Sequence, residues 1–170
     1  MKKYWFISFI LLGALLVAGC SAVSYNFTGT GKINAKTVQV NYFQNMAPLV
    51  QPGIERNFTL KLQDILQSQT NLTLVPRDGD LLYEGEIVDY RVAPMTATAN
   101  QAAAQNRLSV TVNVRYKNRN SEADNFEKKF SFYYDYDGAQ QLVGTQLTDA
   151  LDVIFERITQ DIFNGSLAKW

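Results

Sequence analysis

Two strict alternations dominate the second half of the chain. Leu108, Val110, Val112, Val114 and Tyr116 alternate with Ser109, Thr111, Asn113, Arg115 and Lys117. Phe126, Phe130, Phe132, Tyr134 and Tyr136 alternate in the same way with Glu127, Lys129, Ser131, Tyr133 and Asp135. A period of two with one apolar and one polar face predicts two strands of a sheet covered on one side only. Just before them, Leu81, Tyr83 and Ile87 share one parity while Val88, Tyr90 and Val92 share the other. That switch predicts a third strand that either carries a bulge or is buried in part on both sides. An earlier strand is predicted from Lys36 to Gln44, with Val38, Val40 and Tyr42 on one face.

The period changes to that of a helix in two places. After the connection "NMAPLVQPG", Pro52 suits a first helical turn, and Ile54, Phe58, Leu62, Ile65 and Leu66 recur at spacings of three and four. Leu60 lies off this stripe, and the helix is expected to end near Gln69. "TNLTLVPRDGD" then reads as a short extended piece closed by a turn. The second helix carries Val143, Leu147, Ala150, Leu151, Ile154 and Ile158 along one stripe, opposite Asp149, Asp152 and Glu156, with Asn164-Gly165 as its stop signal. The expected fold is α+β, two helices packed on one face of a mainly antiparallel four-stranded sheet, in a single domain over residues 37–170. The uncharged stretch "APMTATANQAAAQN", residues 93–106, is long for a strand connection and reads as a mobile loop or a segment that orders on a partner.

The start of the chain has a different pattern. Lys2 and Lys3 precede an apolar run from Tyr4 to Leu16, and Val17-Ala18-Gly19 leads to Cys20, the one cysteine among 170 residues. This order is that of a secretory signal peptide. A cysteine directly after the small residues makes it resemble a lipobox, which implies a thioether from Cys20 to diacylglycerol and cleavage between Gly19 and Cys20. About 16 residues at roughly 1.5 Å each fall short of the hydrocarbon core of a bilayer, so a spanning anchor is the weaker reading. Residues 1–19 are thus expected to be a lipoprotein signal peptide, and residues 20–36, small and polar, a lipidated tether. Two or three acyl chains on Cys20 would hold the protein on its membrane, since each buried methylene contributes about 0.8 kcal/mol. Ser21 follows where an aspartate would retain many Gram-negative lipoproteins at the inner membrane, so the outer membrane is the expected destination.

Charge and composition then exclude whole classes of function. Lys2 and Lys3 are two of 16 basic residues, against 16 acidic ones, so the chain from Cys20 onward carries a net charge of −2. A strongly basic nucleic-acid binder is not expected. With no histidine and no cysteine beyond Cys20, Ser-His-Asp and Cys-His catalysis and thiolate or imidazole zinc sites are absent. Carboxylates, Lys, Tyr and Ser/Thr are the groups left for chemistry; a carboxylate enzyme using Glu84 and Glu86 is the option weighed, but same-parity acids on a strand are more often surface charge. "GTGK" at residues 29–32 lacks the spacing of a phosphate loop, and Asp135 and Asp137 lack the further ligands of a calcium loop. No cofactor, metal or catalytic residue is expected. Arg115, Lys117, Arg119, Lys128 and Lys129 lie close across a predicted hairpin, either as a solvated sheet edge or as a contact for anionic lipid head groups.

Together with Cys20, the ordered segments "NYFQNMAPLVQPGIERNFTLKLQDILQSQTNLTLV", "GDLLYEGEIVDYRVAP", "NRLSVTVNVRYKN", "YYDYDG" and "DIFNGSLAKW" resemble the LptE family of lipopolysaccharide-assembly lipoproteins, in its divergent branch. The resemblance spans about residues 25–170. It implies a lipid-anchored, noncatalytic protein on the periplasmic face of the outer membrane, which plugs the LptD β-barrel, assists its assembly and takes part in delivering lipopolysaccharide. It also implies two helices on one side of a sheet; basic residues of that sheet are implicated in lipopolysaccharide contact in the better-studied branch, and of the family's functional residues only Cys20 carries over by motif. Another periplasmic adaptor lipoprotein, such as a cell-wall synthase activator or a secretion-pore scaffold, is the alternative.

Overall fold

A computed structural model describes residues 33–49, 51–95 and 105–168. Gly19, Cys20, the signal peptide and most of the tether, together with the middle of the 93–106 stretch, lie outside the described residues. The elements run β1 (Thr37–Val40), β2 (Gln44–Asn45), α1 (Ile54–Gln69), β3 (Thr73–Leu74), β4 (Leu81–Met95), β5 (Gln105–Asn118), a 3-10 turn (Glu122–Asp124), β6 (Phe126–Asp137) and α2 (Thr145–Ser166).

The class is α+β, as expected, but the sheet is larger and mixed. Its order is β3-β1-β4-β5-β6, with β2 pairing β4 as a sixth strand. β4, β5 and β6 form the antiparallel meander that the alternations predict. β1 pairs in parallel with both β3 and β4, and β2 pairs in parallel with β4. The correction has a simple cause. α1 carries the chain back to the starting end of the sheet, so the strand after it runs parallel to β1. The loop after β3 then crosses the start of β1, where the Asp80 carboxylate accepts the backbone N–H groups of Lys36 and Thr37 at 2.8 and 3.0 Å. β2 and β3 are two residues each, too short to show a period.

The parity switch in β4 is a bulge, which lies between Ile87 and Asp89. A second parity change was not expected. Val38 is buried, yet Tyr42 is exposed and Phe43 is buried. The strand read from Lys36 to Gln44 breaks at Asn41–Phe43, and the break turns the Phe43 ring inward over Gly85, against Phe58.

α1 and α2 cover one sheet face through the predicted stripes. Ile54, Phe58, Leu62 and Leu66 from α1 meet Leu151, Ile154, Phe155 and Ile158 from α2 over Tyr83, Ile87 and the apolar row of β5. Val143 does not belong to this stripe; it precedes α2 and is exposed. Asn164-Gly165 does not stop α2, which continues to Ser166. Tertiary packing overrides the local signal. Ser166 Oγ donates to the Ile162 carbonyl and lies 2.7 Å from the buried Tyr83 hydroxyl, while Leu167 and Ala168 are buried behind it. Among the described residues no helix is long and apolar enough to cross a membrane.

Candidate functional site

With both helices on one face, the opposite face of β4, β5 and β6 is open and polar. The register decides what meets there. Glu84 faces Arg115, which faces Glu127; Glu86 faces Asn113, which faces Lys129; Asp89 faces Thr111 and then Ser131. Ala93 faces Arg107, which faces Asp135. Acid and base therefore alternate across the three strands in the Arg115 row, while along β4 the open-face positions Glu84, Glu86 and Asp89 are all acidic.

Arg115 is the centre of this face. Its Nη2 lies 3.0 Å from Glu86 Oε2 and its Nη1 donates to Glu86 Oε1 at 3.1 Å. Glu84 and Glu127 lie farther out, at 3.7 and 3.8 Å. Lys117 meets the same Glu84 oxygen, Oε1, more closely, at 3.1 Å. Asn113 ties two rows together, donating to Glu86 at 2.9 Å and to Glu127 at 2.8 Å. Asn41, at the kink after β1, reaches Glu84 at 3.4 Å. The hydrogen bonds from Arg115 and then Asn113 hold the Glu86 carboxyl below its ordinary range, and the guanidinium of Arg115 is held charged in return. A shallow groove of about 540 Å³ runs beside this network, lined by Tyr42, Gln44, Met46 and Val88 together with Glu84, Glu86 and Arg115.

A second pair closes the far end of the face. Arg107 forks onto Asp135 through Nε and Nη2, at 2.6 and 2.8 Å, and stacks 3.5 Å from the centre of the Tyr133 ring. Its hydrogen bonds lower the Asp135 pKa.

The five basic residues singled out in the sequence are not one cluster. Arg115, Lys117 and Lys129 share the open face, the first two spent on carboxylates. Arg119 lies beyond the end of β5, 3.3 Å from Asp78. Lys128 has the parity of Phe130 and stands over its ring on the helix side, 5.2 Å from the centroid. Glu84 and Glu86, weighed above as catalytic carboxylates, are the counter-charges of Arg115 and Lys117. Their shared parity was visible in the sequence. Their partners were not, because register is set by the β4–β5 pairing and its bulge. Asp135, weighed as a calcium ligand, is occupied by Arg107, and Asp137 accepts the N–H of Ala139 at 2.8 Å.

Acid titration should register these pairs. Glu86, Asp135 and the Asp80 clasp have lowered pKa values, the last through the backbone N–H groups of Lys36 and Thr37. The stability they contribute is complete above the unfolded carboxylate pKa of about 4 and is lost as pH falls through the lower folded values. At the other extreme, burial pushes Tyr116 up to about 12, so stability is complete below the unfolded value of about 10 and lost as pH rises toward 12. A flat Tm from pH 6 to 9 with a fall on each side, read by circular dichroism, is the expected profile. A Tm still constant below about pH 3 would contradict the carboxylate pairing.

The family model described as "LptE: Lipopolysaccharide-assembly" matches residues 35–165, most of the chain, with every described strand, all of α1 and all but the last residue of α2. The chain belongs to the LptE family. The match begins where Lys36 and Thr37 are clasped by Asp80 and ends in the last turn of α2, so LptE membership rests on the folded unit described above. No curated protein sequence matches the chain. Among solved structures it is similar to the rare lipoprotein B from Shewanella oneidensis, with 12% identity, a TM-score of 0.47, and coverage of 75% of this chain and 89% of that one. A minor lipoprotein from Acinetobacter baumannii gives 11% identity and a TM-score of 0.48, with coverage of 75% and 89%. PelC from Paraburkholderia phytofirmans, a dodecamer, gives 9% identity and a TM-score of 0.49 over 80% of this chain and 89% of that one.

Proposed function

We propose that this protein is an outer-membrane lipoprotein that plugs an LptD-type β-barrel, assists its assembly and so supports transport of lipopolysaccharide to the cell surface. The observation that carries the reading is the LptE match over residues 35–165. The open face supports it physically. A stopper enclosed by a barrel loses water from its polar surface, and an unpaired charge enclosed in that way is costly. Here Arg115, Lys117 and Arg107 already meet Glu84, Glu86 and Asp135 within the face, so enclosing them leaves those charges answered. Nothing in this role calls for catalysis, and none is proposed. Direct contact with lipopolysaccharide phosphates falls to the open-face members Arg115, Lys117 and Lys129, where an arriving phosphate competes with Glu84 and Glu86. Arg119 and Lys128, also expected as contacts, sit away from this group.

Cys20 is the proposed anchor, on the periplasmic side of the outer membrane. Cys20→Ser is expected to abolish labelled fatty-acid incorporation and leave an uncleaved precursor on a gel; normal processing of the variant would contradict the anchor. Partner identity has its own test. Full-length protein taken from membranes in mild detergent is expected to bring down an outer-membrane β-barrel. Recovery of a cell-wall synthase or a secretion ring in its place would favour the alternative adaptor role.

A further inference from the structure

β6 is the outer strand of the sheet. Its inner side pairs with β5 along its whole length, from Phe126 opposite Tyr116 to Asp137 opposite Gln105, and among the described residues no strand pairs with its outer side. A twelve-residue edge with free backbone donors and acceptors is a template for strand addition. Lysines on such an edge ordinarily discourage pairing, and this one carries Lys128 and Lys129. The other end of the strand carries Asp135 and Asp137, so the edge is complementary to itself when read antiparallel.

We propose that β6 pairs antiparallel with β6 of a second copy of this chain, about a twofold axis at Tyr133. A slip of one residue would turn the second copy's helices to the other side of the sheet, so a continuous open face requires residues of like parity to pair. The charges then choose among the remaining registers. An axis at Ser131 sets Glu127 against the second copy's Asp135. An axis at Phe132 sets Glu127 against Asp137, and Lys129 against an Asp135 already forked by Arg107. An axis at Tyr133 sets Lys129 against Asp137 twice and opposes no like charges. Both groups are exposed and available: among the described residues Lys129 meets no carboxylate, and the Asp137 carboxylate accepts only the Ala139 N–H. In this register Phe130 faces Tyr136, and Phe132 faces Tyr134, on the helix side. Phe132, Tyr134 and Tyr136 are only half-buried in one copy, so pairing covers an aromatic row that the core leaves partly open. The interaction stands apart from the proposed barrel partnership.

Sedimentation of the full-length protein in mild detergent tests it. Wild type is expected to form a dimer in the micromolar range. Lys129→Asp and Asp137→Lys each turn two attractive cross-strand pairs into repulsive ones and should weaken the dimer roughly tenfold or more. The double variant should restore it, which separates pairing from any fault in folding. Tyr133→Cys should oxidise to a 133–133 linked dimer, mapped by mass spectrometry, and Lys129→Asp should suppress that link. Wild type that stays monomeric, single reversals without effect, or a Tyr133→Cys variant that links to a different protein would each overturn the proposal.

Discussion

Replacing Gly85 with alanine is expected to lower the unfolding free energy by about 3 kcal/mol or more, at the upper end of overpacking effects. Gly85 lies on the helix-facing side of β4, opposite Val114. A Cβ there would fall on the backbone carbonyl of Asn113 and come within 2.7 Å of the Phe43 ring. Neither neighbour yields easily. The carbonyl belongs to the central β5 strand, and Phe43 is fully buried against Phe58. A glycine inside a strand ordinarily weakens it, and this one is used where a ring must approach the backbone. Urea unfolding of Gly85→Ala measures the loss. A variant as stable as wild type would mean that the kink at Asn41–Phe43 does not hold the position described.

Phe58→Ala is expected to cost about 3–5 kcal/mol, the range for emptying a buried aromatic site. Phe58 joins three parts of the fold. Its ring lies edge-on to Phe43 at 5.0 Å and to Phe155 at 5.3 Å, linking α1 to the β1–β2 kink and to α2. Against a typical domain stability of 5–15 kcal/mol, that loss is a large share. Leu60, two residues along the same helix, is 47% exposed, and Leu60→Ala should change stability by no more than about 0.5 kcal/mol. If the two variants unfold at the same urea concentration, the assignment of α1's buried face is wrong.

Much of this molecule could be read from its residues, and the reasons differ by element. β4, β5 and β6 are long and half-buried, so their period of two, and even the bulge between Ile87 and Asp89, appears in the residue order. The α1 stripe is legible because every residue predicted to lie on it is buried in the core between α1, α2 and the sheet. The parallel pairings were hidden, since β2 and β3 have two residues each and their pairing depends on where α1 returns the chain. The end of α2 was misread because Ser166, Leu167 and Ala168 gain more from burial than Gly165 gains from a turn. The polar face was half legible. Its parity was plain, but its pairing was not: Arg115, Lys117 and Lys128 look like one basic group along the chain, whereas register sends the first two to Glu84 and Glu86 and the third to the Phe130 ring.

The LptE match and the paired charges of the polar face support the proposed role, a rigid body seated in an outer-membrane barrel. Depletion of the protein in its own cell, followed by separate measurement of surface and periplasmic lipopolysaccharide, tests that role most directly. The account predicts that surface lipopolysaccharide falls while the periplasmic pool grows. Unchanged surface lipopolysaccharide after complete depletion would contradict it.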